Sequence, residues 1–200
     1  MEEKRDLRVQ KTYDALIAAF QELLAEKSFE EITVKELCAR AKTRTATFYT
    51  HFSDKYDFFS FMVKELRRSF AKDAELTYNK EDASAYYTAL VCKGMDYLEH
   101  NEKLANSVKG NGMLRGMLQF MPDEITEELR RHLRRDCDGY EKLNESDVLL
   151  QFLIGGMNQV TEWWFANRRS LRKDAVSSDV GTVIREILYY SQSKRYSNVL

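Results

Sequence analysis

The sequence predicts an all-α protein of about nine helices. Two observations carry this. One proline and eight glycines in 200 residues leave too little turn punctuation for an all-β fold. Apolar residues also recur at i, i+3 and i+4 almost throughout, the spacing of one helix face. A hydrophobic content of 44% beside 32% charged residues is ordinary for a soluble chain with one or two cores.

The first stripe, Tyr13, Leu16, Ile17, Phe20, Leu23 and Leu24, predicts a helix from about residue 7 to 27. "KSFEEIT" breaks it. Thr33 then caps a second helix, and Glu36, three residues on, completes a capping box. Val34, Leu37, Cys38 and Ala41 form its short buried stripe. Polar residues 42–45 predict a turn before a third short helix ending near Phe52. Ser53 is the expected cap of a fourth, running through Phe59, Met62, Leu66 and Phe70. Beyond "NKEDAS" the pattern gives a helix over 83–99, an interruption at "VKGNG", and a helix from Pro122 onward with early acids and later arginines, matched to the helix dipole. Two strongly apolar segments, "SDVLLQFLIGGMNQVTEWWFANRR" and "SSDVGTVIREILYYS", close the chain. The expected organisation is a head at 1–52, a connecting helix at 53–72 and a helical body at 73–200.

Charge is unevenly spread. Residues 71–150 hold 11 basic and 16 acidic side chains, whereas window 35–55 holds Lys35, Arg40, Lys42, Arg44 and Lys55 against Glu36 and Asp54. Polyanion binding, if present, is therefore local to that window. It is also where two short helices joined by a tight turn have the spacing of a helix-turn-helix. In such a unit the second short helix enters the major groove. Threonine hydroxyls and methyls meet base edges there, and arginine forks onto guanine. Thr33, at a helix N-terminus, suits a phosphate, and Tyr49 and Lys55 suit register-fixing phosphate contacts. Phe48 and Phe52, one turn apart, face the core.

The run "ITVKELCARAKTRTATFYTHFSDKYDFF" resembles the DNA-binding head of the TetR family of transcriptional regulators. The resemblance covers about residues 8–60 and is most specific over Thr47–Phe52 with Lys55. It implies that Thr33, Lys35, Tyr49 and Lys55 hold phosphates, and that Arg44, Thr45, Thr47, Thr50 and His51 lie on or beside the reading helix. The family turn often reads Gly-Val-Ser, where this chain has Lys42, Thr43 and Arg44. A left-handed backbone at Lys42 then carries strain of ~1 kcal/mol, with Lys42 itself placed to face a phosphate.

The resemblance further implies a homodimer paired through the last two helices, a small-molecule effector, a double-stranded operator and no cofactor. Leu153, Gly156, Met157, Val160, Trp164, Val183, Ile187 and Tyr190 are the candidate seam, with Gly155 beside them; the alternative is packing within one protomer. Tyr86, Tyr87, Met95, Met113, Met117, Phe120 and Trp163 are candidate ligand residues, methionine being adaptable in shape, though such stripes also serve as plain core. His100 and His132 read as surface residues, Cys38 as inert packing, and Cys137 as a thiol lying beside arginines. The charged N-terminus, three scattered cysteines and the lack of a long apolar run predict a cytoplasmic chain with no membrane partner. No GxGxxG, P-loop, HExxH or GxSxG element suggests an enzyme. A helical adaptor, or an enzyme lacking a recognisable motif, is the alternative that salt-dependent DNA binding discriminates.

Overall fold

The computed structural model describes residues 7–78, 82, 84–110, 123–136 and 147–193. Nine α-helices appear among them and no β-strand: α1 (Leu7–Glu26), α2 (Val34–Arg40), α3 (Thr45–His51), α4 (Lys55–Glu75), α5 (Ser84–His100), α6 (Glu102–Gly110), α7 (Asp123–Asp136), α8 (Asp147–Asn167) and α9 (Lys173–Ser193). No described helix is long and apolar enough to cross a membrane. The chain divides into two compact units. The first draws on residues 1–65 and 100–118, the second on 66–99 and 119–200.

The first unit is built on aromatic packing. Phe20, Phe29, Phe48, Phe58 and Phe59 are fully buried. Phe58 lies 5.4 Å from Phe20, 5.9 Å from Phe48 and 5.2 Å from Phe52, centroid to centroid. These are tilted and edge-on contacts, which suit the ring quadrupoles. Helix α6 adds to this unit beside α1, where Lys103 donates to the Ala25 carbonyl, an acceptor left over in the last turn of α1.

The cap of α4 differs from expectation by one residue. Asp54, not Ser53, accepts the backbone N–H groups of Tyr56 and Asp57 at 2.8 Å each. The Asp57 carboxylate in turn accepts the Ser53 N–H and hydroxyl. A carboxylate is the stronger acceptor at a positive helix end, and the acid wins the cap position.

In the second unit, Tyr86, Tyr87, Leu129, Leu133, Leu150, Leu153, Ile154, Ile184 and Leu188 form one core cluster. Helix α5 is clasped closely. A Cβ on Gly94 would stand 3.2 Å from Thr161, and one on Gly181 would stand 3.1 Å from the Thr88 hydroxyl. Lys173 of α9 donates to Asp96 and Glu99 of α5, and Arg185 donates to Asp82 at 2.8 Å.

His132 overturns its reading as a surface residue. It is buried, stacked on Tyr86 with centroids 3.6 Å apart, and 2.8 Å from a Glu75 carboxylate oxygen. A long-range partner makes the burial of this polar ring tolerable.

Candidate nucleic-acid interface

Helices α2 and α3 are set by their ends. The Thr33 hydroxyl accepts the Glu36 N–H, and the Glu36 carboxylate accepts the Thr33 N–H, a complete capping box. Lys27 and Thr33 together hold the Glu36 carboxyl down at about 2. At the other end the Lys42 N–H reaches the Ala39 carbonyl and the Thr43 N–H reaches that of Cys38. This is the Schellman pattern, which needs a left-handed residue after the cap. Lys42 fills that place with φ 52°, so the left-handed turn forms without glycine. Lys42→Gly should raise stability by ~0.5–1 kcal/mol, as read by urea denaturation. A loss of stability would show that the lysine side chain does more for the fold than its backbone strain costs.

Cys38 sits on the core side of α2, and burial pushes its thiol pKa up. Phe48 turns into the aromatic core, while Tyr49, its neighbour, is 55% exposed. One face of the head therefore presents Thr33, Lys35, Lys42, Arg44, Thr45, Tyr49 and Thr50, all exposed, with Thr43 and Thr47 half-buried among them. The Thr50 hydroxyl donates to the Ala46 carbonyl at 3.0 Å, which leaves its methyl and lone pairs outward.

The cations of this window divide into two sets. Arg40 forms a two-pronged pair with Glu26 at 2.8 and 2.9 Å, with Glu22 nearby. These carboxylates raise its pKa and cancel its charge locally. Among the described residues no carboxylate pairs with Lys35, Lys42 or Arg44. Positive charge thus remains on the first turn of α2, the connecting turn and the cap of α3, where a phosphate backbone would be met.

Two expected contacts point elsewhere. The half-buried His51 turns inward, its Nδ1 3.3 Å from the Tyr13 hydroxyl and its ring edge-on to Tyr13. Lys55 directs its ammonium to the carbonyls of Phe29, Glu30 and Ile32.

In the second unit, Tyr86, Tyr87 and Met95 are fully buried. Met113, Met117, Phe120 and Cys137 lie outside the described residues, as does the Tyr190 side chain. Between α8 and α9 runs an apolar groove of about 540 Å³. Leu153, Gly156, Met157, Val160, Val183 and Ile187 are among its lining residues. The two tryptophans depart from their expected surroundings. Trp164 is buried within the protomer, while Trp163 lines the groove at 47% exposure. Gly155 and Gly156 have open space where a Cβ would stand.

The model of the family described as "Bacterial regulatory proteins, tetR family" matches residues 16–60. Over 51 residues the chain is 45% identical to an uncharacterized HTH-type transcriptional regulator of Mycobacterium tuberculosis, 26% of this chain and 24% of that one. Over 64 residues it is 36% identical to the uncharacterized HTH-type transcriptional regulator YxbF of Bacillus subtilis, 32% of this chain and 17% of that one. The matches thus span about a quarter or less of these relatives' length. Among solved structures, a putative TetR-family transcriptional regulator from Syntrophomonas wolfei is similar at TM-score 0.62 and 15% identity, covering 90% of this chain and 96% of that one. The fatty acid degradation regulator FadR from Bacillus halodurans is similar at TM-score 0.58 and 20% identity, over 86% and 96%. At these identities the likeness is one of fold.

Proposed function

We infer that this chain, a member of the TetR family of bacterial regulatory proteins, is a sequence-specific DNA-binding transcriptional regulator. It acts as a homodimeric repressor released from a palindromic operator by a small molecule. The observation that carries the DNA-binding reading is the exposed face of α2 and α3. Lys35, Lys42, Arg44, Tyr49 and Thr50 stand together there, backed by the buried Phe48 and Phe52. A purely structural helix pair has no use for unpaired cations and hydroxyls gathered opposite its core.

Dimerisation is supported by the groove between α8 and α9 and by the apolar side chains exposed beside it. Phe152 is 69% exposed and Val183 58%. Contiguous apolar surface of this kind marks an interaction site, and a two-fold reader needs a self-complementary patch. Effector release is supported by α4, one continuous helix contributing residues to both compact units. A ligand that prefers one of two body states then changes DNA affinity by its differential affinity for them, typically ~1–3 kcal/mol.

Selection of bound duplexes from random DNA tests the reading. A recovered palindrome with half-sites one helical turn apart is the expected result; no enrichment would remove the function. On the recovered site, Arg44→Ala should relax preference at one base pair per half-site at a cost of ~1–3 kcal/mol per contact. Equal losses on specific and random DNA would make Arg44 a phosphate ligand.

A further inference from the structure

The sequence places Lys55 among the phosphate ligands, yet its surroundings describe a different task. Its Nζ lies 3.1 Å from the Phe29 carbonyl, 2.8 Å from that of Glu30 and 3.1 Å from that of Ile32. An ammonium has three N–H donors and no more, so each carbonyl takes one. The charge also sits over the Phe29 ring at 4.8 Å and near the Tyr56 ring at 5.6 Å. Burial pulls its pKa below the usual lysine value.

The three carbonyls belong to the loop between α1 and α2, which turns back on itself through the Ile32 N–H to Phe29 carbonyl bond. The last of them adjoins the functional face. The peptide unit joining Ile32 to Thr33 is held at its oxygen by Lys55 and at its N–H by Glu36. One rigid plane therefore carries both the lysine bond and the capping box of α2. Lys55 stands at the first residue of α4. Tilting that turn moves the plane, and with it Thr33 and the N-terminus of α2.

We propose that Lys55 is a positioning residue for DNA binding: it sets the angle at which α2 offers Thr33 and Lys35 to the phosphate backbone, and does not itself bind phosphate. This rests on the DNA-binding reading above. It separates three behaviours. A phosphate ligand contributes to counterion release, tolerates arginine and becomes shielded on DNA. A merely stabilising residue affects unfolding but not the affinity of protein that is still folded. A positioning lysine changes affinity without changing the salt slope, and arginine cannot replace it, because a planar fork does not match three converging carbonyls.

The test uses the full chain and a random-sequence 30-base-pair duplex, with affinity measured across a salt series at a temperature where circular dichroism shows each variant fully helical. For Lys55→Met, which keeps the aliphatic stem on Phe29, the expected loss is about tenfold, the order of one hydrogen bond to a charged group, at unchanged slope. Lys55→Arg should lose a similar amount. A slope lower by about one per head, or full affinity in Lys55→Arg, would make Lys55 a phosphate ligand and overturn the proposal. Unchanged affinity in Lys55→Met would overturn it as well.

Acetic anhydride footprinting of the unaltered protein gives an answer even if the variants fail to fold. Lys35 and Lys42 should react quickly alone and slowly with DNA, while Lys55 reacts slowly in both. Fast reaction of Lys55 in the free protein sinks the proposal. Wild-type protein that binds no duplex would remove the DNA-binding reading itself, and this inference with it. A failure seen only at Lys55 leaves that reading standing.

Discussion

Phe58→Ala is expected to unfold the head under mild conditions and abolish DNA binding. Phe58 is fully buried, and its ring bridges Phe20 of α1, Phe48 of α3 and Phe52 after it. Truncation removes a ring that packs on all three and leaves a ring-sized void. Large-to-small changes of this kind cost ~3–5 kcal/mol, a large fraction of the ~5–15 kcal/mol by which domains are stable. Urea denaturation followed by circular dichroism gives the cost directly. Tyr49→Ala is the control on the opposite face, since an exposed side chain contributes little to stability, so its effect should fall on DNA affinity alone. A small effect of Phe58→Ala would mean that the surrounding rings collapse into the void and that the aromatic core is redundant.

What was legible in the sequence was legible because it is local. The capping box of α2 follows from Thr33 and Glu36 standing three apart. The left-handed turn at Lys42 follows from a helix that must end before the next begins. The inward Phe48 and outward Tyr49 follow from their one-residue offset on a short helix. The expected cap of α4, Ser53, falls one residue early, because that expectation leaves out the charge at a helix terminus that favours Asp54. The remainder was hidden for other reasons. His132 finds Glu75 and Tyr86 on elements far away in sequence, and no local pattern announces such a pair. Lys55 sits where a phosphate ligand is expected, and only the folding back of the α1–α2 loop brings three carbonyls to it. Trp163 and Trp164 are neighbours on a helix apolar around much of its circumference, so periodicity could not say which faces the core. Arg40 counted as positive charge in the sequence, but Glu26 lies opposite it in the structure.

The exposed half of α8 and α9 gives the second large effect. Val183→Asp should split the proposed homodimer while leaving the protomer folded. Met157 and Ile187 also line the groove but are half-buried, so a charge there would strain the protomer as well as the assembly. Val183, 58% exposed, avoids that ambiguity. In the isolated chain an aspartate at this site remains in water and should change stability by less than ~0.5 kcal/mol. In a two-fold interface the same substitution enters twice, once from each partner, and buries an unpaired carboxylate beside Phe152 and Trp163. Breaking a buried charge's partnership costs ~3–5 kcal/mol, or roughly 10²–10⁴ in the dissociation constant. Sedimentation equilibrium should show the mass fall from about twice 23.5 kDa to 23.5 kDa at concentrations where the wild type remains paired. The same variant should bind single half-sites as well as the wild-type head does. It loses the added affinity for a palindrome, because the second head is no longer delivered with the first. Val183→Thr keeps the shape without the charge and should still dimerise. A Val183→Asp protein with the wild-type dissociation constant would show that this groove faces solvent in the working molecule, and that the two heads, if paired, are joined elsewhere.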